Sequence, residues 1–137
     1  MRPLIVIDVQ NCYRAVAPIL PNVLILIEKA KKKNNPIVVL RCRETPAFLA
    51  STRLDDEVHK GVLSAVAGYD KIVIAEKYTC CGGSEVWSAL WELCWQRWED
   101  FPFTLTACGV NTEACVAETV NWLAEVGFEV ILTYSHE

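Results

Sequence analysis

Five short apolar runs rich in β-branched residues stand along the chain at 3–9, 36–40, 71–75, 103–108 and 128–133, each with the length of a buried strand. Residues 20–33 carry apolar positions at helical spacing and end at Asn34-Asn35-Pro36. Residues 43–68 are less regular. A turn of helix is predicted in 47–54 and a short helix within 55–66, together forming a loop placed to act as a lid. A longer helix is predicted from Ser84, taken as its N-cap, to about residue 99. It carries Trp87, Trp91, Trp95 and Trp98 as a single stripe, a pattern that packs against a sheet or a partner subunit. After the fourth strand, Val116, Val120, Leu123 and Val126 mark one more helix, with Gly127 as its stop.

Strands alternating with helices through short connections predict one α/β domain over 1–137, a three-layer α-β-α arrangement around a doubly wound parallel sheet of about five strands. The length suffices for a single core, and 53% hydrophobic residues suit a sheet covered on both faces. A net charge of −4 argues against a nucleic-acid or anionic-membrane surface. The basic run Lys31-Lys32-Lys33 complements a helix C-terminus. No apolar stretch reaches the ~20 residues of a membrane span, and no signal peptide precedes the first strand. Seven cysteines without a CxxC pair are then expected to be thiols in a cytoplasmic protein.

Three positions carry candidate chemistry. Asp8 closes the first apolar run, at the strand end where α/β sheets bind ligands, although it could equally cap the following turn. Thr112 is a good N-cap, which puts Cys115 at the third helical position, where free N–H groups and the helix dipole lower a thiol's pKa. The plainer reading of Cys115 is a buried core thiol. Lys77 follows the third strand, where a surface lysine would be unremarked.

The run Gly109-Val110-Asn111-Thr112-Glu113-Ala114-Cys115-Val116 resembles the nucleophile motif of the isochorismatase-like cysteine hydrolases, a family that includes nicotinamidases and N-carbamoylsarcosine amidohydrolases. Leu4-Ile5-Val6-Ile7-Asp8-Val9-Gln10-Asn11 and Lys77 match two further family motifs in the right order. The resemblance implies strand order 3-2-1-4-5 and a catalytic set of Asp8, Lys77 and Cys115. It also implies an oxyanion hole from the backbone N–H groups of Asn111 and Cys115, reached through a cis Val110–Asn111 peptide. Gln10 and Asn11 are expected to line or brace the site. Tyr13 and Tyr78 are possible replacements for an aromatic wall lost where relatives have Ser-Ala-Phe and this chain has Cys80-Cys81-Gly82.

Metal-dependent nicotinamidases carry an Asp-x-His motif where this chain reads Arg41-Cys42-Arg43-Glu44, and His59 and His136 lack ligand spacing. The expectation is therefore no metal and no cofactor. His59 reads as an exposed helix residue, and Arg41 and Arg43 as a solvated loop or a clamp for a substrate carboxylate. Relatives continue past the fifth strand, so the ending at 133–137 predicts either a homo-oligomer, dimer or tetramer, covering an exposed edge, or a shortened chain. The function expected is metal-independent cleavage of a C–N bond in a small amide or ureido substrate. Rival readings are a catalytically weak binding or assembly module and a thiol redox protein using Cys80-Cys81 or Cys115.

Overall fold

The computed structural model describes residues 1–43, 56–94 and 101–136. Five parallel strands form one sheet: β1 (Leu4–Ile7), β2 (Ile37–Cys42), β3 (Ile72–Lys77), β4 (Thr104–Val110) and β5 (Glu129–His136). Their order is β3-β2-β1-β4-β5, the order implied by the resemblance. β1 is central and buried at every position. Alternation sends Leu4 and Val6 to one face, beneath α1 (Val16–Lys32) and α2 (Lys60–Val66). Ile5 and Ile7 go to the other, beneath α3 (Gly83–Cys94) and α4 (Ala117–Glu125). Burying each such aliphatic side chain stabilises the fold by about 1.5–3 kcal/mol.

Several predicted boundaries move, each for a local reason. α1 begins at Val16, four residues earlier than the periodicity predicts. Pro18 falls in the first turn, where an N–H has no partner to lose, and Pro21 is carried inside the helix. Buried Val16, Ile19, Val23, Ile27 and Ala30 hold that helix on the sheet despite the bond forfeited at Pro21. It stops where Asn34 takes φ 58° and Asn35 N–H donates to the Ala30 carbonyl at 2.8 Å. α3 starts at Gly83, so Ser84 lies inside it and bonds the Glu85 carboxylate at 2.9 Å instead of capping. His59 is half-buried at the N-cap of α2, its Nδ1 accepting the Gly61 N–H at 3.0 Å; it is not an exposed helix residue.

Trp87 and Trp91 turn inward, against Phe101 at 5.5 and 4.9 Å, and Trp87 also meets Phe128 at 5.8 Å. Trp95, Trp98 and the predicted lid segment 44–55 lie outside the described residues. Ile131 and Leu132 on the edge strand β5 are exposed. Among the described residues no helix is long and apolar enough to cross a membrane. The carboxyl ends of β1, β2, β3 and β4 share one rim, and there the candidate side chains gather.

Candidate active site

Asp8 is the first residue past β1. Its φ of 58° lies in the left-handed region that aspartate tolerates better than most residues, and its N–H donates to the Leu40 carbonyl at 3.1 Å. The carboxylate is wholly buried. Lys77 ends β3, two strands away, a separation of roughly 10 Å that only a side chain as long as lysine or arginine bridges. It is wholly buried too, and its Nζ lies 3.3 Å from both carboxylate oxygens. The ammonium also donates to the carbonyls of Thr79 and Cys80, each at 3.1 Å. Those carbonyls reach it because Gly82 has no side chain: a Cβ there would stand 2.8 Å from Lys77 Cδ and 2.6 Å from Leu40 Cδ1.

The third member arrives from β4. Gly109, at φ 153°, sits so close to β1 that a Cβ would strike the Ile7 carbonyl oxygen, so glycine is required for the two strands to converge beside Asp8. The chain then turns through Asn111 at φ 62°. No cis peptide occurs among the described residues, so the expected cis Val110–Asn111 bond is corrected to trans. The left-handed Asn111 makes the turn without the ~3–4 kcal/mol that a non-proline cis bond costs. Thr112–Val116 then form a wide turn of π type, in which the Asn111 carbonyl accepts from Val116 N–H at 3.2 Å and Ala114 N–H at 3.1 Å. Thr112 is therefore inside the turn, not its N-cap, and Asn111 opens it. Cys115 rides on this turn, 6% exposed, close enough for its sulfur to meet Asp8.

The electrostatics depart from expectation at the sulfur. Contact with the Cys42 thiol, burial and the neighbouring Asp8 carboxylate push the Cys115 thiol up, with Lys77 opposing. The protonated form of Cys115 is favoured, because the Cys42 contact and burial, with the Asp8 charge added, outweigh the Lys77 ammonium. Burial raises Asp8 above the usual carboxylate value, opposed by the Lys77 charge and by the nearby Cys115 and Asn111 side chains. Burial also works against the Lys77 ammonium, yet Asp8 and the sulfurs of Cys115 and Cys42 outweigh it, and Lys77 stays cationic. The site thus holds an acid, an ammonium and a protonated thiol in mutual contact.

The remaining candidates divide. Gln10 is wholly buried and braces: its amide donates to the Cys42 and Asp56 carbonyls at 3.0 and 2.7 Å, and its oxygen accepts the Cys42 N–H at 2.7 Å. Asn11 is exposed and accepts the Lys60 N–H at 3.4 Å. Tyr13 is half-buried at the site; burial, Asp8 and the sulfurs of Cys42, Cys12 and Cys115 hold its hydroxyl above the ordinary phenol range. Tyr78 is exposed and bonded to Glu76 at 3.3 Å, on the face of β3 opposite Lys77, and does not join the three. Cys42, one of the seven expected thiols, lies among the reacting groups, with its sulfur, the Cys115 sulfur and an Asp8 oxygen all within 4.8 Å of one another. Its signal is available in the sequence: it closes the second strand as Asp8 closes the first.

Arg41 is neither solvated nor open to a substrate. It is buried in β2 and paired with Asp56, Glu57 and Glu76 at 2.8, 2.9 and 3.0 Å. Arg43 shares Glu76 at 3.3 Å. With both arginines spent on acids and the His59 ring used as a cap, the residues described at this strand end do not fit a nicotinamidase-type histidine metal centre.

The isochorismatase domain family matches residues 3–133. The chain belongs to the isochorismatase family. Solved structures of similar fold include an isochorismatase from Pseudomonas putida KT2440, 18% identical, with a TM-score of 0.71 over 96% of this chain and 68% of that one. The nicotinamidase of Staphylococcus aureus is 14% identical, with a TM-score of 0.73 over 98% of this chain and 82% of that one. N-carbamoylsarcosine amidase from Thermoplasma acidophilum is 14% identical, with a TM-score of 0.66 over 97% and 82% respectively. At these identities the likeness is one of fold. No curated protein matches the chain. Membership of the isochorismatase family supports a cysteine hydrolase of that family.

Proposed function

We propose that this isochorismatase-family protein is a metal-independent cysteine hydrolase that cleaves a C–N bond of a small amide or ureido compound. The observation that carries the reading is the convergence of Asp8, Lys77 and Cys115, from three separate elements, into one water-poor contact. A protonated thiol beside a buried carboxylate with a raised pKa is suited to general-base activation. As substrate arrives, Asp8 takes the Cys115 proton and the sulfur attacks the carbonyl carbon. Lys77 keeps Asp8 ionised until then. Backbone N–H groups of the turn, those of Asn111 and Cys115, receive the oxyanion. Protonated Asp8 gives its proton to the leaving amine, then takes one from water, whose oxygen attacks the thioester. The acid product leaves and Cys115 regains its proton.

The raised pKa of Asp8 supports its assignment as the base, since an acid–base group works best when its pKa moves toward the working pH. Tyr13 borders the same space and serves as an aromatic wall. The test is release of ammonia or amine across a panel of amides and ureides, with Cys115→Ala as control. Turnover of a panel member that vanishes in Cys115→Ala supports the proposal. No turnover of any member by a folded protein favours the binding-module reading.

A further inference from the structure

The Lys77 ammonium has three protons, and all three have acceptors: Asp8 Oδ2 at 3.3 Å and the carbonyls of Thr79 and Cys80 at 3.1 Å. Asp8 Oδ1, fully buried, is approached by Lys77 Nζ at 3.3 Å as an ion pair but forms no hydrogen bond of good geometry. A buried carboxylate oxygen in that condition is costly, and a carboxylate oxygen of Asp8 lies within 4.8 Å of the sulfurs of Cys42 and Cys115. Each donor comes from a different element: the end of β1, the end of β2 and the turn after β4. Gln10 holds the Cys42 backbone by both its N–H and its carbonyl, and Lys77 holds the other oxygen of Asp8. The Cys42 backbone and the Asp8 carboxylate are thus held in place before any ligand comes.

We propose that Asp8 Oδ1 and the sulfurs of Cys42 and Cys115 form a three-donor site for a thiophilic divalent cation of the Zn²⁺ or Cd²⁺ class. Thiolate sulfurs are donors such ions favour and a carboxylate oxygen is an accepted third ligand, with a fourth position left for water. The charge closes as well. Two thiolates and a carboxylate carry three negative charges, and Lys77 with a divalent ion supplies three positive ones. A monovalent ion would leave the buried site with an unmatched negative charge. Each metal–sulfur bond replaces an S–H bond and the two protons go to solvent, so no oxidant or reductant is involved. The site differs from a histidine centre: it uses Cys115 itself. Its consequence, that ion and substrate exclude one another, rests on the hydrolase reading; the binding does not.

The experiment is titration of the reduced, metal-stripped full chain with Cd²⁺, reading the ultraviolet cadmium–thiolate charge-transfer band. The expected result is saturation at one Cd²⁺ per chain, with the band about halved in Cys42→Ser and in Cys115→Ser. Asp8→Asn should weaken affinity at least ~10-fold, the lower end of what outer partners of metal sites are worth. Cys80→Ser and Cys81→Ser should leave the curve unchanged. A full-strength band in Cys42→Ser, or its loss in Cys80→Ser or Cys81→Ser, overturns the proposal. Should the Cys42 variant fail to fold, differential alkylation of wild type decides. Cd²⁺ must then slow labelling of Cys42 and Cys115, and labelling unchanged at both refutes the site. These readouts need no turnover, so failure of the hydrolase reading leaves them intact.

Discussion

Replacing Lys77 by methionine keeps the bulk of the side chain and removes its charge, which isolates what the ammonium does for Asp8. In the wild type a wholly buried carboxylate is balanced by a wholly buried ammonium at 3.3 Å. Without it, Asp8 faces a site that already raises its pKa through burial, and the opposing charge is gone. The variant can relieve the bare charge by protonating Asp8, and the free energy of that proton uptake sets a ceiling. Relative to an unfolded value of 3.8, the ceiling grows by about 1.4 kcal/mol per pH unit. It reaches about 1.6 kcal/mol at pH 5 and about 5 kcal/mol at pH 7.5, the latter matching the ~3–5 kcal/mol typical of a broken buried pair. The measured difference lies below that ceiling by whatever the raised pKa of wild-type Asp8 already costs. A carboxyl whose folded pKa lies above its unfolded value loses stability as pH rises toward the folded pKa, and Lys77→Met extends that loss to higher pH. Urea denaturation of both proteins at pH 5 and 7.5 should therefore show a destabilisation that is larger at pH 7.5. Adding Asp8→Asn should recover part of it and remove its pH dependence. Equal destabilisation at the two pH values, or a double variant as unstable as Lys77→Met at pH 7.5, would refute the reasoning.

The same geometry sets three further outcomes. Asp8→Asn should lower kcat/KM by at least ~10²–10⁴-fold; the wild-type profile should lose activity on acidification through a limb above the ordinary carboxylate range, since the base form is the ionised one. A limb at or below 3.8 would contradict the raised Asp8. Alkylation of Cys115 by iodoacetamide should be slow at neutral pH and quicken as pH rises, because the thiol rests protonated; rapid, pH-independent labelling would show a thiolate at rest. Gln10→Leu removes three hydrogen bonds, two of them buried, and takes away the acceptor of the Cys42 N–H, so a loss of roughly 2–4 kcal/mol in chemical denaturation is expected, against none if water replaces the amide.

The sheet is legible in the sequence because its central strands are apolar at nearly every position: Leu4–Ile7 and Ile37–Cys42 are buried on both faces and leave no alternation to confuse with a helix. Asp8, Lys77 and Cys115 are legible only together, through the resemblance of their three motifs, since each taken singly has a plainer reading. Residue types do not reveal the backbone choices. Asn111 reaches its turn by a positive φ in place of a cis bond, and the π-type turn displaces Thr112 from the cap. The resting state of Cys115 escapes a sequence reading because its pKa depends on Cys42 and Asp8, which sequence separation hides. Tyr78 misleads because the residue after an edge strand can turn outward, and here Glu76 draws its hydroxyl away. Arg41 looks solvated in the sequence because its acids Asp56 and Glu57 lie fifteen and sixteen residues downstream.

The central claim is that the Cys115 sulfur becomes bonded to the substrate carbonyl. Acid-quenched mass spectrometry during turnover of an amide or ureide substrate addresses it directly. The account predicts a single acyl adduct on the peptide containing Cys115, absent from Cys115→Ala and accumulating in Asp8→Asn only as slowly as attack itself. An adduct on any other residue, or undiminished turnover by Cys115→Ala, would contradict it.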